Sequence, residues 1–421
     1  MFFPTIFVFP YSCLRVFIRH PLKFFIRIIR HIHIDKILLR NYNKYNSDIE
    51  LLICGASEAD MENELKRNGA IELMRFVFCI CIIIYHINNR IELPKSDYFS
   101  FCQNGNIGVE FFFLVSGWLM MNSVIRHGNE EAGIRKPTLH FMKKKLRKVL
   151  PHHILVFGTV FLLYFWLGPI KGIENNFKKM ADCIPAFFLI QKSGVDSFEL
   201  LRYEWYIGAM LVGMAVLYPL LVKYRKAFSA YICPLLSVLL IGYMAHNSHR
   251  ISGIDRFIFA DGIISKTYVR AVAIMALGMF CYEISAFLSR RNFSRIIISV
   301  MTTAEVICYA LTLLFAFSCW ESKYEATVCY LMAIAVSLTF SGKTLSAKLS
   351  GNKVLCYLGK LSFPLYMMQG ISLTFIRYVI PDTTPAVKVF TVFAMTLCIA
   401  LITQPISKSM LKFWDKNIKE R

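Results

Sequence analysis

The stretch AIELMRFVFCICIIIYHIN, residues 70–88, decides the fold of this chain. About 20 predominantly apolar residues, at 1.5 Å per residue, cross the ~30 Å hydrocarbon core of a bilayer. Comparable stretches follow at 106–124, 152–169, 204–222, 231–246, 268–288, 296–318, 326–341, 354–379 and 386–405, and 184–190 could be an additional, re-entrant piece. The sequence therefore predicts an all-α, polytopic transmembrane helical bundle of about ten spans.

The composition supports the membrane class. Hydrophobic residues make up 56% of the chain, against roughly 45–50% in soluble domains. The net charge of +21 would indicate nucleic acid in a soluble protein, but the basic residues lie between the apolar stretches. We therefore expect membrane lipid as a partner and no nucleic acid. The cysteines lie mostly inside apolar stretches and show no metal-binding spacing, so we predict neither disulfides nor a zinc site.

The charges of the loops predict the orientation of the chain. Basic clusters with few acids follow every even-numbered span, from Lys143 to Lys148 after the second to Lys408 to Arg421 after the tenth. The loops after odd-numbered spans carry both signs. Because Lys and Arg are enriched in cytoplasmic loops, both termini are predicted to lie in the cytoplasm (N-in, C-in).

Composition also divides the chain into three parts. Residues 1–68 contain a basic amphipathic segment and a polar linker, and a start at Met61 is a second interpretation of this part. Residues 69–407 contain the predicted spans. Residues 408–421 form a basic, cytoplasmic tail.

Two ionisable side chains in the first span are candidates for function, because such groups are costly inside a membrane. Arg75 and His86 come within about 20° of one helix face and lie roughly 16 Å apart along the axis. One interpretation is a cation at the mouth of a substrate path, with a titratable base deeper in. The other is an arginine that reaches the headgroups and a histidine at the outer interface. The spacing favours neither.

The second span begins GNIGVEFFFLVSGW, residues 105–118. Glu110 lies about one turn inside this apolar helix, where it could pair with Arg75 or Arg90, or orient His86 as a base. Its Ser-Gly step allows close helix approach, and we interpret the glycine as a packing notch.

A basic run, FMKKKLRKVLP, occupies residues 141–151. It is either an ordinary cytoplasmic cluster or a docking patch for phosphates. We interpret His152 and His153, which follow it, as ordinary interface residues.

Taken in order, these elements resemble the acyltransferase-3 family of integral membrane O-acyltransferases. The resemblance rests on Arg75 and His86 with ten residues between them, on the second-span motif, and on the basic run that ends in proline. Later matches are Glu204-Trp205-Tyr206, Arg270 followed by Leu277-Gly278, and LGKLSFPLY at 358–366. The resemblance covers about residues 64–415.

The resemblance implies transfer of an acyl group, often acetyl, from cytoplasmic acyl-CoA to a hydroxyl of a cell-envelope polysaccharide, such as an exopolysaccharide, or of its lipid-linked precursor. Acyl-CoA would be the donor substrate, with no bound cofactor, in the plasma (inner) membrane. Together with the reasoning above, it gives these candidates: catalytic His86, Arg75 and Glu110; donor-binding Lys144, Lys145, Arg147 and Lys148; and substrate-contacting Ser116, Trp205, Arg270, Ser362 and Tyr366.

The chain departs from the family pattern at two places. Lys145 and Lys148 stand where the family commonly has arginines, and lysine keeps the charge but loses the bidentate fork. Gln369 stands where many members have histidine, and an amide cannot titrate.

Two other functions are open at the level of sequence. A transporter or flippase of a lipid-linked glycan would line its path with Arg75, His86 and Glu110, whereas an acyltransferase needs a thioester donor and leaves an ester. A non-enzymatic scaffold is disfavoured because it has no need for a buried arginine and histidine on one helix face.

Overall fold

The computed structural model describes residues 67–91, 101–127, 133–167, 181–192, 200–201, 203–248, 250–252, 257–259 and 264–419. The predicted N-terminal amphipathic segment and the alternative start at Met61 lie outside these ranges. Of the described residues, 67–252 and 265–419 belong to one compact unit, and 257–259 and 264 belong to another. Two short strands, β1 (Phe257–Phe259) and β2 (Ile264–Ser265), pair with each other.

The described chain is otherwise built from helices. They are α1 Gly69–Ile91, α2 Gly108–His127, α3 Arg135–Leu167, α4 Ile184–Phe187, α5 Trp205–Ala227, α6 Cys233–Ser248, α7 Lys266–Ser289, α8 Arg295–Phe317, α9 Glu325–Ser341, α10 Lys353–Val379 and α11 Pro385–Lys419. A 3-10 turn at Gly105–Ile107 precedes α2, and a π-helical turn at Phe228–Ile232 joins α5 to α6. The predicted tail is helical as far as Lys419, because α11 continues through it.

Within the described ranges, every long helix overlaps one of the predicted spans, which confirms the all-α polytopic bundle. Helix α3 begins well before its predicted span, because the basic run at 141–151 is also helical. Judged by length and composition, 8 stretches of the described chain could cross a membrane, and the one at 205–248 contains both α5 and α6. Helix α10 is not among them, because polar side chains interrupt its apolar sequence. Ser362, Gln369 and Ser372 of α10 are all fully buried, so this helix turns its polar groups toward the protein interior and not toward lipid.

The helix directions agree with the alternation that the loop charges predict. Helices α1 and α10 run parallel, since Cys79 donates to the carbonyl of Ser362 at 3.1 Å and His86 meets Gln369 further along both helices. Helices α2 and α7 are also parallel. Helices α1 and α10 correspond to the first and ninth predicted spans, and α2 and α7 to the second and sixth. Two odd-numbered or two even-numbered spans should cross the bilayer in the same direction.

Two glycines set the contact between α2 and α7. A Cβ added at Gly117 would collide with the backbone carbonyl of Met275, and one added at Gly278 would collide with the carbonyl of Leu114. The two backbones approach this closely only because neither position carries a side chain. The interpretation of Gly117 as a packing notch is confirmed, and the contact places α7 behind the site described next.

The short helix α4 belongs to a segment that packs against the start of α5. Pro185, Ala186 and Leu189 are buried, and Leu189 takes a positive φ of 59° in the turn that follows the helix. The carbonyl of Leu189 lies against Gly208, where a Cβ would collide with it. The segment predicted as a re-entrant piece thus makes one turn of helix and a tight bend among buried residues.

Candidate functional site

A cavity of about 120 Å³ lies among α1, α2, α3, α5 and α10. Its lining consists of three cations, two serine hydroxyls, two tyrosines and six apolar side chains: Arg75, Lys145, Lys148, Ser116, Ser362, Tyr206, Tyr366, Phe112, Val115, Leu119, Val149, Met210 and Phe363. We call it the Arg75 cavity. Six of the predicted site residues, from four helices, meet here. The cavity suits a ligand that combines an anionic group with a neutral, slender remainder.

The carboxylate of Glu72, one turn earlier on α1, holds Arg75 at the cavity. Nη1 of Arg75 lies 3.2 Å from Oε2 of Glu72, and Nη2 of Arg67 lies 2.8 Å from Oε1 of the same carboxylate. Glu72 occupies space that Gly359 of α10 leaves open, since a Cβ at 359 would come within 2.6 Å of the Glu72 Cβ. The glycine of the Leu-Gly-Lys element thus allows Glu72 to orient Arg75. Glu72 has no distinguishing signal in the sequence, because a glutamate near the predicted cytoplasmic end of a span looks like an ordinary interface residue.

The basic run divides between two faces of α3. Lys145 and Lys148, one turn apart, line the Arg75 cavity, and Nζ of Lys145 also lies 5.2 Å from the centroid of the Phe141 ring. Lys144 lines a different cavity of about 240 Å³, together with His140 and Tyr218 among others, and Arg147 lines neither. Of the four predicted donor-binding cations, the structure brings two to Arg75.

Tyr206 and Tyr366 close the inner end of the Arg75 cavity. Their rings meet edge to face with centroids 5.4 Å apart, and the hydroxyl of Tyr366 donates a hydrogen bond to the backbone carbonyl of Tyr203. The ring of Tyr203 in turn lies 4.4 Å from the imidazole of His86, centroid to centroid. His86 therefore lies behind a tyrosine partition, on the far side from the three cations.

A hydrogen bond that Gln369 accepts determines which ring nitrogen of His86 carries a hydrogen. Nε2 of Gln369 donates to the carbonyl of Tyr366 at 2.9 Å, so the Oε1 of this amide is the atom that faces Nδ1 of His86, also at 2.9 Å. An amide oxygen only accepts, so Nδ1 of His86 must carry the hydrogen. In a neutral imidazole, the lone pair then lies on Nε2. The predicted base thus has a defined basic nitrogen, and the non-titrating Gln369 defines it.

The prediction that Glu110 pairs with Arg75 or orients His86 was wrong. Glu110 forms a buried ion pair with Arg270 of α7, and the guanidinium of Arg270 lies over the Trp205 ring, 5.1 Å from its centroid. Both charged side chains are almost wholly buried, with 1% of each residue exposed. Aromatic rings connect this cluster to the cavity, since Phe113 packs against both Trp205 and Tyr206. The side chain of Arg90 lies outside the described part of the structure.

The interpretation of His153 as an ordinary interface residue was also wrong. Its imidazole is buried, with Nδ1 2.7 Å from Oε2 of Glu204 and Nε2 donating to the carbonyl of Phe187 at 2.9 Å. With Nε2 protonated, either His153 is an imidazolium beside a carboxylate or a neutral imidazole accepts from a protonated Glu204. Either way the pair is neutral overall and ties α3 to the segment around α4. A histidine at the end of a basic run has no sequence signal that distinguishes this role.

A polytopic helical bundle with a cationic cavity inside it, and a histidine beyond an aromatic partition, defines an integral membrane protein whose candidate site lies within its helical bundle. The family model described as Acyltransferase domain matches residues 68–404, and the chain belongs to this acyltransferase-3 family. It is a multi-pass membrane acyltransferase. The resemblance noted from the sequence motifs is confirmed over nearly the same residues.

Searches of curated proteins and of solved structures found no match to the chain. Among the described residues, no three His, Cys, Asp or Glu side chains come together as ligands for a metal ion.

Proposed function

We propose that the protein is an O-acyltransferase of the plasma (inner) membrane, with acetyl as the transferred group. The donor is cytoplasmic acyl-CoA, and the acceptor is a hydroxyl of an exported polysaccharide or of its lipid-linked precursor at the cell envelope. The observation that carries this proposal is the convergence of Arg75, Lys145 and Lys148 on one intramembrane cavity. The predicted orientation places its cationic mouth toward the cytosol.

The three cations match the phosphates of acyl-CoA. Arg75 lies about 9 Å along α1 from its first residue, and only 16% of its side chain is exposed, so the bundle encloses most of it. Arg75, oriented by Glu72, offers a planar donor fork, whereas the two lysines act as point charges. The volume of about 120 Å³ is small against the 300–1,000 Å³ typical of drug-sized ligand pockets. It suits the thioester arm of the donor better than a glycan.

His86 is the general base of the proposed reaction. Its Nε2 accepts the proton of the acceptor hydroxyl while the hydroxyl oxygen attacks the thioester carbonyl. The C–S bond then breaks, the thiolate of coenzyme A leaves, and the proton on His86 neutralises it, so that the products are an ester and a free thiol. General-base assistance of this kind contributes about 10²–10⁴ in rate. Gln369 keeps the basic nitrogen in place.

The donor's acyl group must pass the tyrosine partition to reach His86. Tyr366 lines the cavity with its ring and contacts the His86 side through two groups, its hydroxyl to Tyr203 and its carbonyl to Gln369. We assign Tyr366 the role of a gate between the donor cavity and the base. Ser116 and Ser362, on opposite walls, are positioned to contact the arm that threads between them.

The test is ester analysis of surface glycan from cells that carry the wild-type protein, His86→Ala, or no protein. His140→Ala is the matched control, because His140 is exposed and does not line the Arg75 cavity. Loss of an O-acyl ester with His86→Ala and without protein, while His140→Ala keeps it and the glycan is still exported, is the expected result. Unchanged esters with glycan retained inside the cell would overturn the proposal in favour of a flippase.

A further inference from the structure

A second and larger cavity, of about 340 Å³, lies at the other end of α1 and α10 from the Arg75 cavity. We call it the Arg377 cavity. Its described lining combines apolar walls with two cations and one amide: Ile87, Leu373, Ile376, Pro381, Val392, Arg377, Lys388 and Asn89. The four aliphatic wall residues are buried, so this is a formed concavity and not a groove between mobile side chains. Its volume falls in the usual range for small-molecule sites.

The Arg377 cavity begins next to the proposed base. On α1, Ile87 and Asn89 directly follow His86. On α10, Leu373 lies one turn beyond Gln369 on the same face. The inner end of the cavity is therefore about 6 Å along the helix axes from the hydrogen bond between His86 and Gln369. His86 thus lies between the two cavities along α1, with the Arg75 cavity toward the start of this helix and the Arg377 cavity toward its end.

Among the described residues, the two cations of the Arg377 cavity have no carboxylate partner. Neither Arg377 nor Lys388 forms an ion pair with any carboxylate in the described part of the chain, where the ion pairs involve other residues. Lys388 is half-buried and Arg377 is exposed at the rim, with its guanidinium over the Tyr378 ring at 5.3 Å from the centroid. Lys388 lies in the first turn of α11, whose N-terminus adds to the positive potential. An anion is the ligand that this arrangement selects.

We propose that the Arg377 cavity binds the acyl acceptor, and that Arg377 and Lys388 select acceptors that carry an anionic group, a phosphate or a carboxylate. This inference rests on the proposed function, and it adds the substrate class. Arg377 is eight residues beyond Gln369 on α10, so the anionic group lies about 12 Å along the axis from the reacting hydroxyl. A neutral glycan leaves the half-buried Lys388 without a counter-charge among the described residues, which disfavours its binding.

The competing role for these cations is membrane anchoring, because arginine and lysine near helix ends commonly reach the headgroups. The two roles differ in what the cations change. Anchoring residues affect how much protein is present in the membrane, irrespective of the acceptor. Residues that bind the acceptor change which glycan receives the ester and leave the amount of protein unaltered.

The experiment compares ester-linked acyl groups in envelope material from cells with the wild-type protein, with Arg377→Ala/Lys388→Ala, with Arg377→Lys/Lys388→Arg, and with Lys412→Ala. Lys412 is an exposed lysine of α11 outside both cavities and serves as the matched control. The material is separated by anion exchange into anionic and neutral fractions before the esters are hydrolysed and counted. Membrane levels of each variant are measured in parallel. Arg377→Gln/Lys388→Gln replaces the alanine variant if the latter is absent from the membrane.

We expect wild-type esters in the anionic fraction, and a loss of about tenfold or more in the double alanine variant at equal protein level. The charge-keeping and Lys412→Ala variants should retain them. Two further assays then identify the anion. Mild acid cleaves sugar diphosphates and so reveals a phosphate, and a uronic acid assay reveals a carboxylate. Esters confined to the neutral fraction, or esters unchanged in the double variant, overturn the inference while leaving the acyltransferase proposal intact. No ester in wild-type cells overturns both.

Discussion

The amide oxygen of Gln369 accepts a hydrogen bond from Nδ1 of His86, and the two side chains come from parallel helices almost three hundred residues apart in sequence. The amide nitrogen of Gln369 donates to the carbonyl of Tyr366, so the direction of the bond to His86 is determined. A residue that cannot titrate therefore selects which nitrogen of the proposed base accepts a proton. Gln369 acts through His86 and is a positioning residue in the proposed reaction.

Replacing Gln369 by leucine removes the oxygen that accepts the hydrogen bond from His86 and keeps a side chain of similar size. Since the imidazole then loses its fixed tautomer, we expect kcat to fall about 10–100-fold with the donor KM nearly unchanged. Gln369→Glu keeps an acceptor oxygen at the same place and should retain much more activity than the leucine variant. Steady-state kinetics of acyl transfer with the purified full chain would check this. Equal kcat in Gln369→Leu and wild type would show that the hydrogen bond has no role in the reaction.

Lys145 and Lys148 should control the donor KM. Replacing either by alanine removes a cation from the Arg75 cavity, and we expect a rise in KM for acyl-CoA of about tenfold, which becomes smaller at high ionic strength because salt screens the same attraction in the wild type. Lys144→Ala is the control, because Lys144 lines a different cavity. Arginine at 145 and 148 should lower the KM, because a guanidinium binds phosphate in bidentate fashion. A KM that responds equally to all three alanine substitutions would indicate general surface charge instead of a site.

Gly359→Ala tests whether Glu72 orients Arg75 at the cavity. The added methyl overlaps the Glu72 side chain, so Glu72 must move and Arg75 loses its orientation. We expect a donor KM raised about tenfold with the protein still folded, because the displaced group is a single side chain. Gly370→Ala on the same helix is the matched control, since its Cβ would meet its nearest neighbour at an ordinary 3.8 Å. If the kinetic constants of Gly359→Ala equal those of the wild type, Glu72 has no role in donor binding.

The Glu110–Arg270 pair should determine stability more than chemistry. Removing one partner leaves a buried, unpaired charge, so Glu110→Leu and Arg270→Met should each lower the free energy of unfolding by about 3–5 kcal/mol. The double variant should recover most of this loss, because two apolar side chains fill the site without a charge. Thermal unfolding in detergent of the wild type and the three variants provides the cycle. A double variant that is stable yet inactive would instead give the pair a direct role in the reaction.

Some of the site was accessible from the sequence and some was not. Arg75, Lys145, Lys148, Ser116, Ser362 and Tyr366 were all predicted, because each belongs to a motif of the resemblance, and the structure shows that they line one cavity. Glu72 escaped notice because a glutamate near the end of a span looks like an ordinary interface residue. Tyr203 escaped notice because its role depends on neighbours that are distant in sequence, His86 and Tyr366. Glu110 was assigned the wrong partner for the same reason: several arginines were within plausible reach, and only packing selects one.

By itself, the sequence determined the membrane class, the number of long helices, and the order of Arg75 before His86 along one helix. These are local properties, because they follow from apolar length and from the 3.6-residue period of a helix. The tertiary structure decided which side chains meet: Gln369 with His86, Arg270 with Glu110, and Glu204 with His153. Those contacts depend on how closely two helix backbones approach each other. Small residues such as Gly117, Gly278 and Gly359 allow a close approach at particular positions along the helix axes. That information is distributed over pairs of helices, so no single stretch of the sequence contains it.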